Sequence, residues 1–494
     1  MSLYKKNDII ELTITDIGTQ GEGIGRVTPE DIPFFVKGAL TGDKIRAGVM
    51  KLKSSYGYAR LIEVLEPSPW RTEPQCPVAG PCGGCTLQHL NYEKQAEYKQ
   101  KHVQNCLERI GGLKDIPMEP IVTMEEPWYY RNKAQFPVSR GKDGKVKIGF
   151  FAGHTHSVID TTQCYIQAQV MQPLLDTIRE FLEEYDISTY DEESGKGLVR
   201  HILMRVGFAT GEIMVCPVLN GEKLPKAEVL EQRLKEAINK YNGVKSGQAD
   251  VGDQEAARGT EYADDMEVNG ENKIKYELTS FCINVNKKKT NVILGDKCIL
   301  LSGRDYITDK IGDVSYRISP LSFYQVNPVQ TKCIYDTVKA YAGLTGEEVL
   351  WDIYCGAGTI GLYLAEGAKK LYGIEIIPEA IADAKENAKA NGIMNAEFYV
   401  GAAEDVFPKL MRECPPDVAV IDPPRKGCDE KLIQALLEVS PKTLVYVSCD
   451  PATLARDLKL LTAGGYEVKR VRAVDAFCHS VHVETVCLME YIGE

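Results

Sequence analysis

Apolar and polar residues alternate with period two over Ile9–Ile17, IIELTITDI, and the same spacing returns in residues 34–36, 44–49 and 59–64. With the glycine-rich run GTQGEGIGRV and a Thr41-Gly42-Asp43 turn between them, about five short strands are predicted, enough for a small β-barrel. Pro67-Ser68-Pro69 closes this unit. Between residues 90 and 110 the period becomes helical, with Tyr92, Ala96, Val103, Leu107 and Ile110 on one stripe. That stripe is expected to face a core and to leave its lysines in solvent. Strand-like stretches at Val199–Val206 and over 212–218, 281–285 and 290–294, with helices over 170–184 and 228–241, predict a central α+β domain. The polar run 247–273 is expected to be a surface loop or hairpin. From residue 348 onward strands and helices alternate: strands over 348–353, 370–374, Ala396–Val400, Val418–Ile421 and Thr443–Ser448, with helices over 359–366, 378–391, 430–439 and 454–462. That order predicts a doubly wound parallel sheet.

A chain of 494 residues exceeds one core, and its length alone suggests roughly three domains. The net charge of -12 disfavours a uniformly basic nucleic-acid binder. Cations nonetheless gather locally, with Lys94, Lys99, Lys101, Arg109, Arg131, Lys133 and Arg140 in one stretch. In WYYRNKAQFPV, aromatics beside Arg131 and Lys133 suit stacking on bases and pairing with phosphates, although an ordinary strand fits as well. MSLYKKNDIIEL has no apolar leader, and no run is apolar enough to span a bilayer, so a cytoplasmic protein without a membrane partner is expected. Fifteen cysteines, mostly scattered through apolar segments, do not form a secreted disulfide framework.

One cysteine group stands apart: Cys76, Cys82 and Cys85 in CPVAGPCGGC, where glycine and proline permit tight turns. Cys164, after the turn-rich FFAGHTHS, is the candidate fourth ligand. Four thiolates suit either tetrahedral zinc or an iron–sulfur cluster. Cys449 stands elsewhere, in VYVSCDP, at the carboxyl end of an apolar strand, where open α/β sheets bind ligands. On this stretch alone a buried apolar cysteine is an equal reading.

The segment DIYCGAGT, residues 352–359, is a strand followed by a glycine turn into a helix, and Glu375 ends the next strand, placed to accept ribose hydroxyls. Loop and acid fit a nucleoside cofactor such as S-adenosylmethionine, with NAD as the alternative. Asp422-Pro-Pro-Arg425 ends the fourth strand. Methyltransferases of exocyclic amines place an aromatic after the prolines to stack on the base; Arg425 there argues for a carbon target instead. Uracil C5 becomes nucleophilic once a thiolate adds at C6, a task that fits Cys449. The adduct must then lose its C5 proton to a base. Glu484 in HSVHVETV is the candidate, with His479 and His482 as rivals and a solvated strand carboxylate as the plain alternative.

Taken in order, FYQVN, DIYCGAGTIGL, IEIIPEAI, DPPRKG, SCDPATLARDL and HVETV resemble the RNA uracil-5-methyltransferase family, and the N-terminal strands resemble a TRAM domain, an oligonucleotide-binding-like barrel. TRAM together with the four cysteines is similar to the 23S ribosomal RNA branch. The resemblance implies a TRAM barrel over 1–66 and a central domain over 67–89 and 120–312. It also implies a Rossmann-like class I methyltransferase domain over 90–119 and 313–494. It implies Cys449 as nucleophile, Glu484 as base, Gln325, Tyr354, Glu375 and Asp422 around S-adenosylmethionine, and Cys76, Cys82, Cys85 and Cys164 around a [4Fe-4S] cluster. The expected product is 5-methyluridine in 23S ribosomal RNA, made by a monomer; the same chemistry on transfer RNA, or an inactive RNA-binding assembly factor, are the alternatives. Two positions depart from the family pattern. Asp450 replaces the usual Asn after the nucleophile, which disfavours a thiolate, and Gly401-Ala-Ala-Glu404 lacks an Asn found near the adenosine in some relatives.

Overall fold

A computed structural model of the chain describes residues 4–153, 155–245 and 274–493; the polar run over 247–273 lies outside them. The N-terminal alternation closes into a barrel in the order Ile9–Ile17, Gly23–Arg26, Phe34–Lys37, Gly57–Glu66 and Lys44–Leu52, the last pairing back to the first. Its inward residues, Ile10, Leu12, Ile14, Phe34, Val36, Ile45, Ala47, Val49 and Ala59, fill the small core. Asp43 is buried and accepts from the amides of Leu40 and Ser68 and from Arg71 at 2.5 Å, which ties the barrel to the segment after it.

The helix Tyr92–Arg109 starts on Asn91, whose side chain accepts from the Glu93 amide. Val103 and Leu107 pack with Leu454 and Leu458 of the helix Pro451–Ala463. Lys99 departs from the expectation of solvated lysines: it is fully buried and bonds Asp475 at 2.5 Å and the Phe477 carbonyl at 3.0 Å. A buried cation is tolerable only when so paired, and removing one partner of such a pair costs about 3–5 kcal/mol. The strand Met118–Val122 went unpredicted because Pro120 interrupts it; it survives as the last strand of its sheet, where a missing N–H is harmless.

The central sheet runs Lys297–Gly303, Glu277–Val285, Glu212–Leu219, Val199–Val206, Lys133–Arg140, Val146–Phe151, Val158–Asp160. Helices Met171–Glu184 and Ala227–Lys245 cover one face, against Ile202, Met204 and Val206. Leu203 and Met214 on the other face join the core of the C-terminal half through Ile307, Ile311 and Tyr316. Residues 290–294 are irregular rather than a strand. The Asn286 amide holds the carbonyls of Val292 and Ile293, and Asn284 holds Gly295 through both its oxygen and its nitrogen, so this backbone is satisfied by side chains.

Among the described residues the C-terminal sheet has eight strands: Ala396–Val400, Lys370–Glu375, Val349–Ile353, Val418–Ile421, Thr443–Ser448, Glu484–Tyr491, Tyr466–Val474 and Met118–Val122. The first five are parallel; Glu484–Tyr491 then enters antiparallel, with Thr485 opposite Ser448. Four of the parallel strands deliver Tyr354, Glu375, Asp422 and Cys449 at or just past their carboxyl ends. The antiparallel strand presents its first residue, Glu484, at that same edge. No helix among the described residues is long and apolar enough to cross a membrane.

Candidate active site

At the glycine turn the backbone leaves the ordinary region three times, with φ of 71° at Tyr354, 54° at Gly356 and 76° at Gly358. A Cβ on Gly356 would meet nothing within 4 Å, so this turn borders open space that a ligand can enter closely. Glu375 is oriented toward it by two backbone donors, the Gly356 amide at 3.2 Å and the Ile377 amide at 2.9 Å. Behind the turn lies Asp352, fully buried, with one oxygen bonded to the Gly361 amide at 2.7 Å and the other without a partner. Burial and the nearby Glu375 push it up to about 7. Sequence reasoning gave Asp352 no task of its own; a carboxylate ending the apolar strand VLWDI was the signal. Gln325 is tied in by its backbone, whose carbonyl accepts from Asn132 at 2.9 Å, and burial pushes the Tyr354 hydroxyl up while the Asp429 amide opposes it.

Next along the edge stand Asp422, Glu484, Arg425 and Cys449: the thiol feels the other three, Glu484 feels Arg425, and Asp422 feels Glu484. Burial pushes Glu484 up to about 7 against the pull of Arg425. Asp422 rises well above the usual carboxylate range through desolvation, then through Glu484 and Asp352. Cys449 is half-buried, and burial, Glu484 and Asp422 push its thiol up to about 11, with Arg425 opposing. Asp450 contributes least to that rise, and its geometry says why: Oδ1 accepts from the amides of Ala452 at 2.9 Å and Thr453 at 3.1 Å. It caps the helix Pro451–Ala463, a role in which Asp and Asn are equivalent.

The loop from Asp475 to Val483 is held from all sides. The Tyr130 hydroxyl donates to Cys478 O, the His479 amide donates to Gln95, and Trp128 stacks on His479 at 3.8 Å. The aromatics of WYYRNK therefore pack inward, with Tyr129 and Tyr130 buried. His479 is committed to that stack and drops to about 3 on burial, while His482 faces the cavity next door. That cavity, about 360 Å³, is lined by Cys76, Cys82, Cys85 and Cys164 together with Arg131, Arg425 and His482. The Gly84 amide donates to the Cys82 sulfur at 3.4 Å, and the amides of Val78 and Ile166 pull the Cys76 and Cys164 thiols down against the rise that burial causes. Among the described residues no three His, Cys, Asp or Glu side chains are placed to hold a metal ion; the four thiols surround a space instead.

A family model described as tRNA (Uracil-5-)-methyltransferase matches residues 286–492, and a TRAM domain model matches residues 5–62. An uncharacterized RNA methyltransferase of Halalkalibacterium halodurans is 44% identical across 98% of this chain and 97% of its own. The chain belongs to the RNA uracil-5-methyltransferase family. A relative from Clostridium tetani with the same description is 41% identical over 99% of this chain and 98% of its own. Among solved structures, the Pyrococcus abyssi tRNA (uracil-54, C5)-methyltransferase in complex with S-adenosyl-L-homocysteine superposes with a TM-score of 0.73 at 27% identity, covering 97% of this chain and all of its own. Family membership makes the barrel a TRAM domain and the C-terminal half an S-adenosylmethionine-type methyltransferase fold.

Proposed function

We propose that the chain methylates C5 of a uridine in 23S ribosomal RNA, with Cys449 as nucleophile and Glu484 as base. The observation that carries this reading is the arrival of a thiol, two carboxyls pushed up by burial and one guanidinium at a single sheet edge beside the glycine turn. Bound S-adenosylmethionine supplies an electrophilic methyl group, and Tyr354, Glu375, Asp422 and Gln325 are the residues assigned to hold it. The uridine is flipped from its stack to reach the thiol. Cys449, half-exposed, gives its proton to solvent and its sulfur bonds C6; the C5–C6 π pair becomes an enolate, so C5 would take the methyl as the donor's S–CH3 bond breaks and S-adenosyl-L-homocysteine leaves. Glu484 then takes the C5 proton, the ring electrons re-form the double bond, and the S–C6 bond breaks. A carboxyl near 7 is matched to that task at neutral pH.

The four-thiol cavity is proposed as the seat of a [4Fe-4S] cluster. Each iron of a cluster takes one thiolate, so the sulfurs need to surround a space rather than converge on one ion, and backbone amides directed at sulfur are what such a site uses. Held there, a cluster would provide a rigid, soft-ligand anchor for the segment after Cys164, whose Ile166 and Gln167 pair with the backbone of Arg131. The cysteines and TRAM domain favour ribosomal RNA; full-length likeness to the Pyrococcus abyssi enzyme favours transfer RNA as the second reading.

Cys449→Ala, supplied with labelled methyl donor and either ribosomal or transfer RNA, is expected to lose methyl transfer while still binding RNA. Persistent turnover contradicts the covalent route. Labelling of transfer RNA alone by the wild type selects the second reading, and labelling of neither points to an assembly factor.

A further inference from the structure

Three thiols gather on the central sheet, apart from Cys449 and from the four cavity cysteines. Glu212–Leu219 lies parallel to Glu277–Val285 with Val215 beside Phe281 and Val218 beside Asn284, a register that sets Cys216 beside Cys282. On the far side of Glu277–Val285 runs the edge strand Lys297–Gly303, antiparallel, with Cys298 opposite Asn284 and Leu300 opposite Cys282. Residues two apart on a strand share a face, so Cys216, Cys282, Asn284 and Cys298 all point the same way. That face packs on the C-terminal half, where Cys216 and Cys282 join Ile307 and Tyr316, while Val215, Phe281 and Ile283 point to the helices instead. Cys216 and Cys282 are buried; Cys298, at the rim of the sheet, is exposed.

Two buried cysteines in an apolar core are accounted for by packing alone. Cys298 does not fit that account, because it is exposed and neighbouring donors serve its sulfur. The buried Asn284 side-chain amide donates to it at 3.4 Å and to the Gly295 carbonyl at 2.8 Å. The Cys216 thiol is the largest influence on Cys298 and, with Asn284, holds it down to about 7 against burial. Cys282, then Cys298, pushes Cys216 well above the usual thiol range, so Cys216 keeps its proton. A thiol near 7 is roughly half thiolate at neutral pH, against a few per cent for an ordinary one. An accessible thiolate beside a second thiol is the arrangement that peroxides oxidise selectively.

We propose that Cys298 and Cys216 form a peroxide-responsive modification site, in which Cys298 attacks a hydroperoxide and Cys216 resolves the product as a disulfide. The Cys298 sulfur bonds the terminal oxygen of the hydroperoxide, the O–O bond breaks, and the departing alkoxide takes a proton from solvent, leaving a sulfenic acid. The Cys216 sulfur then bonds the Cys298 sulfur, the S–O bond breaks, and the hydroxyl leaves with the Cys216 proton as water. Two thiols lose two electrons and the peroxide gains them. The two strands stand two ladder spacings apart, roughly 9.5 Å, and a disulfide spans about 7 Å at most between Cα atoms. Bridging therefore draws Lys297–Gly303 inward. That strand is paired on one side only, follows the irregular residues 290–294, and shifts register against Glu277–Val285 between Phe281 and Cys282, so little holds it out.

The test treats the full chain, prepared without oxygen, with limiting hydrogen peroxide, blocks the remaining thiols and maps peptides by mass spectrometry without reductant. Trypsin cuts after Arg205, Lys223, Lys275, Lys287 and Lys297, which leaves the three cysteines on separate peptides. The wild type is expected to yield the Cys298 peptide joined to the Cys216 peptide, and Cys298→Ser to lose the bridge. Cys216→Ser, whose hydroxyl still donates, stops at a Cys298 sulfenic acid that dimedone traps; Cys282→Ser bridges as the wild type does. Unchanged melting and S-adenosyl-L-homocysteine binding establish that the variants are folded. A wild type whose Cys298 stays reduced, stops at the sulfenic acid, or joins Cys282 while Cys216 is free overturns the proposal. None of these residues is assigned to methyl transfer, so either reading can fail and leave the other standing.

Discussion

Cys449 and the four cavity cysteines are the same functional group in opposite surroundings. The thiol at the sheet edge faces Glu484 and Asp422, with Arg425 as the counterweight, whereas the cavity thiols face one another and backbone amides. Under the proposed mechanism, carboxyls that can carry protons suit a thiol that adds to a ring and leaves again. Amides that only donate suit the proposed cluster thiolates, which stay in place. Arg425 and His482 line the cavity, and Arg425 also reaches Cys449, so the two groups share a wall without sharing a task.

The comparison breaks most visibly if the cavity is disrupted. Protein prepared without oxygen is expected to carry about four iron and four sulfide per chain. Cys164→Ser should lose both and melt several degrees lower, while Cys449→Ser keeps them. Iron lost from both variants, or a single zinc in the wild type, removes the distinction between the two groups.

A smaller effect sharpens the other side. Glu484 titrates near 7 in the folded chain against an ordinary 4.5, so between those values the folded state holds a proton that the unfolded chain has released. Stability therefore falls as pH rises from about 4.5 to 7 and is level above. Glu484→Gln cannot ionise, and its stability should exceed that of the wild type by a margin that grows over this window to roughly 3 kcal/mol at most. Denaturant unfolding at pH 5 and pH 8 measures it; an equal difference at both places the buried charge elsewhere.

The parts of the molecule written in local patterns were readable from sequence. Ile9–Ile17 alternates because one face of a barrel strand is core, and the run of strands and helices after Val349 follows from burying a parallel sheet on both sides. What local pattern hid was partnership over distance. Lys99 looked like a solvated lysine because Asp475, its ion partner, lies 376 residues away. Met118–Val122 looked broken by Pro120 because nothing nearby says that it will be an edge strand. Trp128 looked free for RNA because its stacking partner, His479, arrives from the last loop of the chain. At the site, Tyr354, Glu375, Asp422 and Cys449 could be placed at strand ends by their motifs, but the charges that Asp422 and Cys449 feel come from other strands. Asp450 shows this best: the residue type suggested repulsion beside the thiol, and the cap it forms sends the carboxylate to the helix amides.

The most direct test of the covalent assignment is mass spectrometry of Glu484→Gln under denaturing conditions after incubation with methyl donor and ribosomal RNA. The account predicts a protein–RNA adduct that survives denaturation and maps to the peptide containing Cys449, since the methylated ring cannot shed its C5 proton. A variant that turns over normally with no adduct, or an adduct on any other residue, would contradict it.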